Sequence, residues 1–314
     1  MPFREMYQDL SDLQILEFAI GWYEKHTSNS LDCDRKKKRF CEHWQRKVIQ
    51  ELIGNSTLLE MFVKLNNYEE PPATRNELYK EWLEFLLNEW DLAVPTLCEH
   101  LYLLHSDKRE ILAEAAAHIH ELKSIDRIAR HLISESDLTK IVLEQLQRKG
   151  VDDSYVAQQI IGQMKLRDNV LYEAGEGYFG FAHQRFFEYC LAQYFMYRFW
   201  KWDLTMDDIC QVFVNHVDND RWHGMLTLLA GAIDISFVPK IIDTLLYLDG
   251  GGRKYRNVFL AARCVIERKW WNEISESVSV LQSILQNLTS NPEFRLEALE
   301  LLTEIERHRL QVKF

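Results

Sequence analysis

Between residues 12 and 23 the apolar residues Leu13, Leu16, Phe18, Ile20 and Tyr23 recur at helical spacing. This predicts a first amphipathic helix with those five on its buried face. A polar break is expected over residues 27–34, then a second helix over 39–53 carrying Trp44, Val48, Ile49 and Leu52. Gly54-Asn55-Ser56-Thr57 reads as a stop followed by a new cap, with a short apolar helix over 58–65. After Pro71-Pro72, Thr74 stands three residues before Glu77, the spacing of a capping box. Leu78, Trp82, Leu86 and Trp90 then recur every fourth residue and make one broad apolar face. Asp107 and Glu110 repeat the cap spacing ahead of a helix bearing Ile111, Leu112, Ala115, Ala116 and Ile119.

The pattern changes in the middle of the chain. Helices are expected over 136–147 and 153–166, separated by Lys149-Gly150. Two short β-prone runs flank Gly175-Glu176-Gly177 and predict a hairpin. An aromatic helix over 183–199 follows, with Phe187, Leu191, Tyr194, Phe195 and Phe199. Helix, helix and hairpin behind an earlier helix is the order of a winged-helix domain. Beyond Trp202 six helices of similar length are expected, over about 205–217, 219–232, 237–248, 256–269, 271–288 and 293–308. Such pairs stack as a HEAT-like α-solenoid, although the sequence has no strict period. The expected fold is mainly α. A helical domain spans 1–100, a winged-helix domain with one small β-hairpin spans 101–200, and HEAT-like repeats span 201–314.

Composition narrows the function. The chain has 314 residues, with only 12 Gly and 6 Pro, too few for a turn-rich all-β protein. Its net charge of −11 repels nucleic acid and anionic membranes. No apolar run reaches the roughly 18 residues of a membrane span, and residues 1–5 lack the apolar core of a signal peptide, so a cytoplasmic location is expected. The six cysteines form no CxxC pair and read as free thiols. Cys33, Cys41 and His43 could supply three metal ligands, but their spacing does not match a structural zinc site and no fourth ligand is near. The basic run Arg35–Arg39 reads as a solvated helix start, and Gly250-Gly251-Gly252-Arg253-Lys254 as a loop between helices. Asp152-Asp153 and Asp207-Asp208 have the spacing of helix caps. No nucleophile elbow, HExxH motif or dinucleotide fingerprint is present, so nothing argues for an enzyme.

Three segments carry a resemblance. Asn76-Glu-Leu-Tyr-Lys-Glu-Trp82-Leu-Glu-Phe-Leu86-Leu, with Trp90-Asp91, resembles the "RxELYxxxLxxLLxxWD" helix of NACHT-domain NTPases, signalling switches of the STAND class. Tyr178-Phe-Gly-Phe-Ala-His183-Gln-Arg-Phe-Phe-Glu-Tyr-Cys-Leu-Ala192 resembles their "YxFxHxTFQEYLAA" signature, which closes the winged helix. Asp220-Arg-Trp222, followed by Leu228-Leu-Ala-Gly231, resembles the start of their next helical region. The three stand in family order, and Leu10–Trp22 is similar to the segment after the family's sensor strand.

The resemblance implies a regulatory and interaction module from the C-terminal part of such a switch, with a role in signal transduction such as defence or stress signalling. The family's GxxxxGK[ST] loop and acidic magnesium-binding strand do not occur here, so the isolated chain is expected neither to hydrolyse NTP nor to hold a cofactor. ADP or ATP with Mg would require a P-loop partner, a separate NACHT-containing chain. His183 matches the family histidine that reaches the β-phosphate of ADP. A histidine at a helix start can donate to an anion, but it can equally cap the helix or bond a core carbonyl. Ser56 stands where the family has a proline near adenine, which weakens that contact. A winged-helix regulator of nucleic acid is the alternative function. Against it, residues 134–199 carry more acids than bases, and the expected recognition helix opens on Asp152-Asp153.

The aromatics from Phe186 to Trp202 read either as a stacking platform for bases or a partner or, since aromatics dominate core area, as packing between the winged helix and the repeats. Burial of most is expected, and an exposed remainder would mark the surface left open by the missing nucleotide-binding half. The isolated chain is expected to self-associate and to bind hydrophobic dyes; sedimentation as a clean monomer at high concentration without dye uptake would contradict this.

Overall fold

The computed structural model describes residues 11–45, 50, 59, 62–63, 74–93, 105–121, 132–166, 170–175, 177–181, 184–249, 252, 254–268 and 275–311. Among these the chain is mainly helical, with thirteen α-helices and one small antiparallel sheet. It divides into two compact units, Met1–Phe85 and Leu86–Phe314.

The first unit contains α1 (Asp12–His26), α2 (Ser30–Trp44) and the first part of α3 (Arg75–Ala93). Ser11 and Gln14 form a reciprocal cap at the start of α1. The buried face of α1 is Ile15, Ala19 and Tyr23, whereas Leu13, Phe18 and Ile20 are exposed. The helix is where it was expected, but of the expected stripe only Tyr23 is buried. Residues four apart share a face, and the ring of Tyr23 fixes which one turns inward, because it packs against Phe40 at 6.3 Å and its Oη donates to the Val63 carbonyl at 3.1 Å. Phe62 closes this core on Phe40 at 5.7 Å. α2 starts at Ser30 and not near Arg39, because the Asn29 side chain accepts from the Leu31 backbone and caps it. The basic run consequently lies inside α2, where Lys36 pairs with Asp32 at 3.2 Å and Lys37 with Glu24 at 2.8 Å. Thr74 Oγ1 accepts from the Glu77 backbone ahead of α3, and Leu78, Tyr79, Trp82 and Leu83 are buried. Leu78 and Trp82 are thus core residues. The side chains of Leu86 and Trp90, like Ser56, lie outside the described residues.

The second unit begins with α4 (His105–Glu121), β1 (Leu132–Ser134), α5 (Glu135–Gln147), α6 (Ser154–Leu166), β2 (Leu171–Gly175) and β3 (Tyr178–Phe181). The sheet order is β1-β3-β2, so β3 is central and antiparallel to both neighbours. The hairpin was expected; β1 was not. Ile133 pairs with Phe179 and Leu171 with Phe181, which turns apolar side chains into the space beside α4, α5 and α6. Gly180 sits between Leu132 and Tyr172, where an added Cβ would stand 2.9 Å from a side-chain carbon of each.

Then come α7 (Gln184–Trp200), α8 (Met206–His216), α9 (Asp220–Ala232), α10 (Val238–Tyr247), α11 (Arg256–Ile266), α12 (Ser275–Leu288) and α13 (Arg295–Gln311). The spans of α8 to α13 follow the six helices expected beyond Trp202 closely. Packing falls in two layers: α8, α10 and α12 touch in sequence, and so do α7, α9, α11 and α13. α7 also packs along α4, so one row of helices runs from the sheet-bearing part into the stack. Asn257 of α11 ties the layers, its buried amide donating to the carbonyls of Leu245 and Leu248 at the end of α10.

Gly180→Val should destabilise the second unit by about 1–3 kcal/mol through overpacking, and Gly180→Ala by less. Chemical denaturation of both variants measures the difference; equal stability with the parent would contradict the close approach.

Candidate functional site

His183 immediately precedes α7 and lies outside the described residues. The residues that follow it are described, and they build the most constrained part of the second unit. Phe186, Tyr189, Cys190, Leu191 and Ala192 of α7 are buried, and α4 and α9 lie against the helix. Phe187 reaches back to the sheet, edge-on to Phe181 at 5.7 Å. Phe199 meets Phe237 of the stack at 5.4 Å. The aromatic segment is therefore core at Phe186 and Tyr189 and half-buried at Phe187, Tyr194, Phe195, Tyr197 and Phe199, up to its end, where Trp200 is 58% and Trp202 92% exposed.

Glu188 is the unusual residue of this helix. Its carboxylate is buried; Oε2 accepts from Arg185 at 3.0 Å and Oε1 from Gln184 at 3.4 Å. It lies directly on Gly224 of α9, where an added Cβ would collide with Oε2 and stand 2.7 Å from Cδ. A glycine inside a helix forgoes about 1 kcal/mol of propensity relative to alanine. Here it lets a charged group sit on the backbone of the facing helix.

A second charged cluster marks the opposite end of α7. Glu110 of α4 accepts from Arg148 at 2.7 Å and from Lys201. Burial raises the Glu110 carboxyl, but hydrogen bonds from Lys201, Gln145 and Arg148 outweigh it and hold the group below the usual carboxylate range. One turn on, burial and then the charge of Glu110 push Glu114 up against the opposing pull of Arg148, Arg198 and Lys201. Glu110 is therefore not the cap partner its spacing suggested. α4 begins at His105, which leaves Glu110 inside the helix and facing the end of α7. Of the two acid pairs, Asp153 caps α6 by accepting from the Tyr155 backbone and Asp208 completes a capping box with Thr205, the N-cap of α8, whereas Asp152 accepts from Gln147 and Asp207 from Lys240.

Gly252 and Lys254 of the glycine-rich run border an open depression of about 550 Å³ whose lining also includes Asp218, Asp249 and Arg256; Gly250, Gly251 and Arg253 lie outside the described residues. Its polar groups face the protein's own acceptors: Gly252 N–H donates to Asp249, Arg256 to the Asp218 carbonyl, and Lys254 approaches Glu293 at 3.8 Å. On α2, Cys33 and His43 are buried while Cys41 is exposed. No group of three or more metal-ligating side chains occurs among the described residues. No described helix is long and apolar enough to cross a membrane.

No protein-family model matches the chain, and no curated protein matches it.

The Glu188–Gly224 contact predicts a sign change. Gly224→Ala should destabilise by about 1 kcal/mol, the collision outweighing the gain in helix propensity. In a Glu188→Ala background the same substitution should become neutral or stabilising. A double-mutant cycle by chemical denaturation measures the coupling, and additive effects would contradict the contact.

Proposed function

We propose that this chain is a regulatory and interaction module resembling the C-terminal part of a NACHT-class NTPase switch, without NTP hydrolysis of its own. The observation that carries this reading is topological. A helix ahead of strand, helix, helix and hairpin, with β3 central, is the winged-helix order, and a two-layer row of paired helices follows it as HEAT-like repeats would. Of the segments that resemble the family, one runs from β3 into α7 and one opens α9, and these two support the reading. Phe186 and Tyr189 are core of α7, and Trp222 is buried at the start of α9.

In such a switch the winged helix covers the nucleotide of a P-loop domain and moves away on activation. That domain would come from a protein partner, which would bring ADP or ATP with Mg, and His183 would reach the phosphate. The exposed aromatic end of α7 and the exposed Leu13, Phe18 and Ile20 of α1 support a chain that works in company. The nucleic-acid alternative is less well supported. The exposed residues of α6 include Tyr155 and Gln158, its N-cap is Asp153, and Arg148 and Lys149 just before it are paired with Glu110 and Asp107.

Purification through a C-terminal tag from the source cell is expected to yield a stoichiometric companion bearing a phosphate-binding loop. His183→Ala should then weaken ADP retention by the complex about tenfold, the worth of one charge-assisted hydrogen bond. Recovery of the chain alone would overturn the reading.

A further inference from the structure

We propose that the packing around Trp222 is an acid-sensitive joint, whose protonation frees the ends of α4 and α8 from the start of α9. Trp222 is nearly buried between two imidazoles from different helices. His216, the last residue of α8, stacks on its ring at 3.4 Å and 4°. His120, in the last turn of α4, meets it edge-on at 4.1 Å. The two imidazoles are 6.4 Å apart. His223, next along α9, is buried and hydrogen-bonds the Val217 carbonyl through Nε2 at 2.7 Å. The three rings thus join the row that α4, α7 and α9 form to the layer that α8 begins.

These rings sit where a positive charge is poorly accommodated. Burial pushes His120 down; burial and then His120 push His216 down. For His223 burial is again the largest influence, with Arg263 and Arg256 adding to it against the Val217 carbonyl and Asp220. The surrounding charges give little relief. On α9, Asp220 is 4.0 Å from His223 but shared with Arg256 of α11. Arg263 of α11 is held by Glu297 of α13. α7 offers the Arg185–Glu188 pair, at Gly224, and Arg198, which is paired with Asp203. α5 offers Asp137, which faces His118 and Lys140. α10 offers Lys240, paired with Asp207 near the start of α8. One cationic imidazole could gain from the face of Trp222, but a second would meet a like charge 6.4 Å away.

The direction follows by linkage. Groups whose folded values lie below the ordinary histidine value favour the packed joint at neutral pH. They favour the loosened joint as pH falls through about 6.5, because the loosened form binds more protons. Each proton taken up raises the loosened population by up to about tenfold per pH unit.

The test is hydrogen exchange, corrected for intrinsic rates, on the full chain between pH 7.5 and 5.5. It is paired with NMR titration of the histidine ring protons. Faster exchange is expected in His105–Glu121 and Met206–His216 before the rest of the stack, with His120 and His216 titrating below the ordinary value. The double variant His120→Asn/His216→Asn should show a clearly shallower pH dependence, the remainder coming from His223. Rings titrating at or above the ordinary value, exchange rising evenly through the stack, or an unchanged slope in the double variant would each overturn the proposal; the wild-type titration decides should the variant not fold.

Discussion

Everything in the larger unit depends on the burial of α7 on two sides at once. A helix whose apolar residues surround most of its circumference cannot satisfy them against a single neighbour. α7 lies against α4 and α9 and sends Phe187 to the sheet, so the sheet-bearing part and the helical row share one core and not two cores joined by a linker. That explains why the residues from Leu86 to Phe314 form one compact unit.

Such a shared core needs register along the helix axes, and apolar contacts alone supply little of it. Charged groups at the two ends of α7 provide the rest. Glu188 accepts from Arg185 while resting on the α9 backbone, and Glu110 gathers Arg148 and Lys201 at the far end. Sliding α7 by one turn would carry Glu188 off Gly224, whose missing side chain makes room for it, and would take Lys201 away from Glu110. Directionality here is electrostatic, although most of the stabilisation is hydrophobic.

Much of this was legible beforehand because helices announce themselves by length, caps and punctuation. The stack from α8 to α13 and the caps at Asp153 and Asp208 lie where the pattern put them. β1 did not, because Leu132-Ile133-Ser134 becomes a strand only when β3 offers it an open edge. α1 was misread because it carries apolar residues on several faces, and only the partners of Tyr23 decide which face is inside. At the site, the aromatic density around α7 was visible in the sequence, whereas His183 lies outside the described residues. The Glu188–Gly224 contact was not visible. A glutamate and a glycine on separate helices give no signal until the helices are aligned, though a glycine inside the predicted helix over 219–232 was a hint that something approaches closely.

The three-stranded sheet has one more consequence, for encounters between molecules. An exposed strand edge invites pairing with another chain, and the hazard grows with the length and flatness of the edge. Among the described residues the central strand, β3, is enclosed on both sides. One flank is a strand of three residues, and the other loses register between Glu173 and Gly175. Neither border offers a stranger more than a few consecutive hydrogen bonds, so a molecule rich in exposed aromatics is protected from cross-strand aggregation by the shortness of its own sheet.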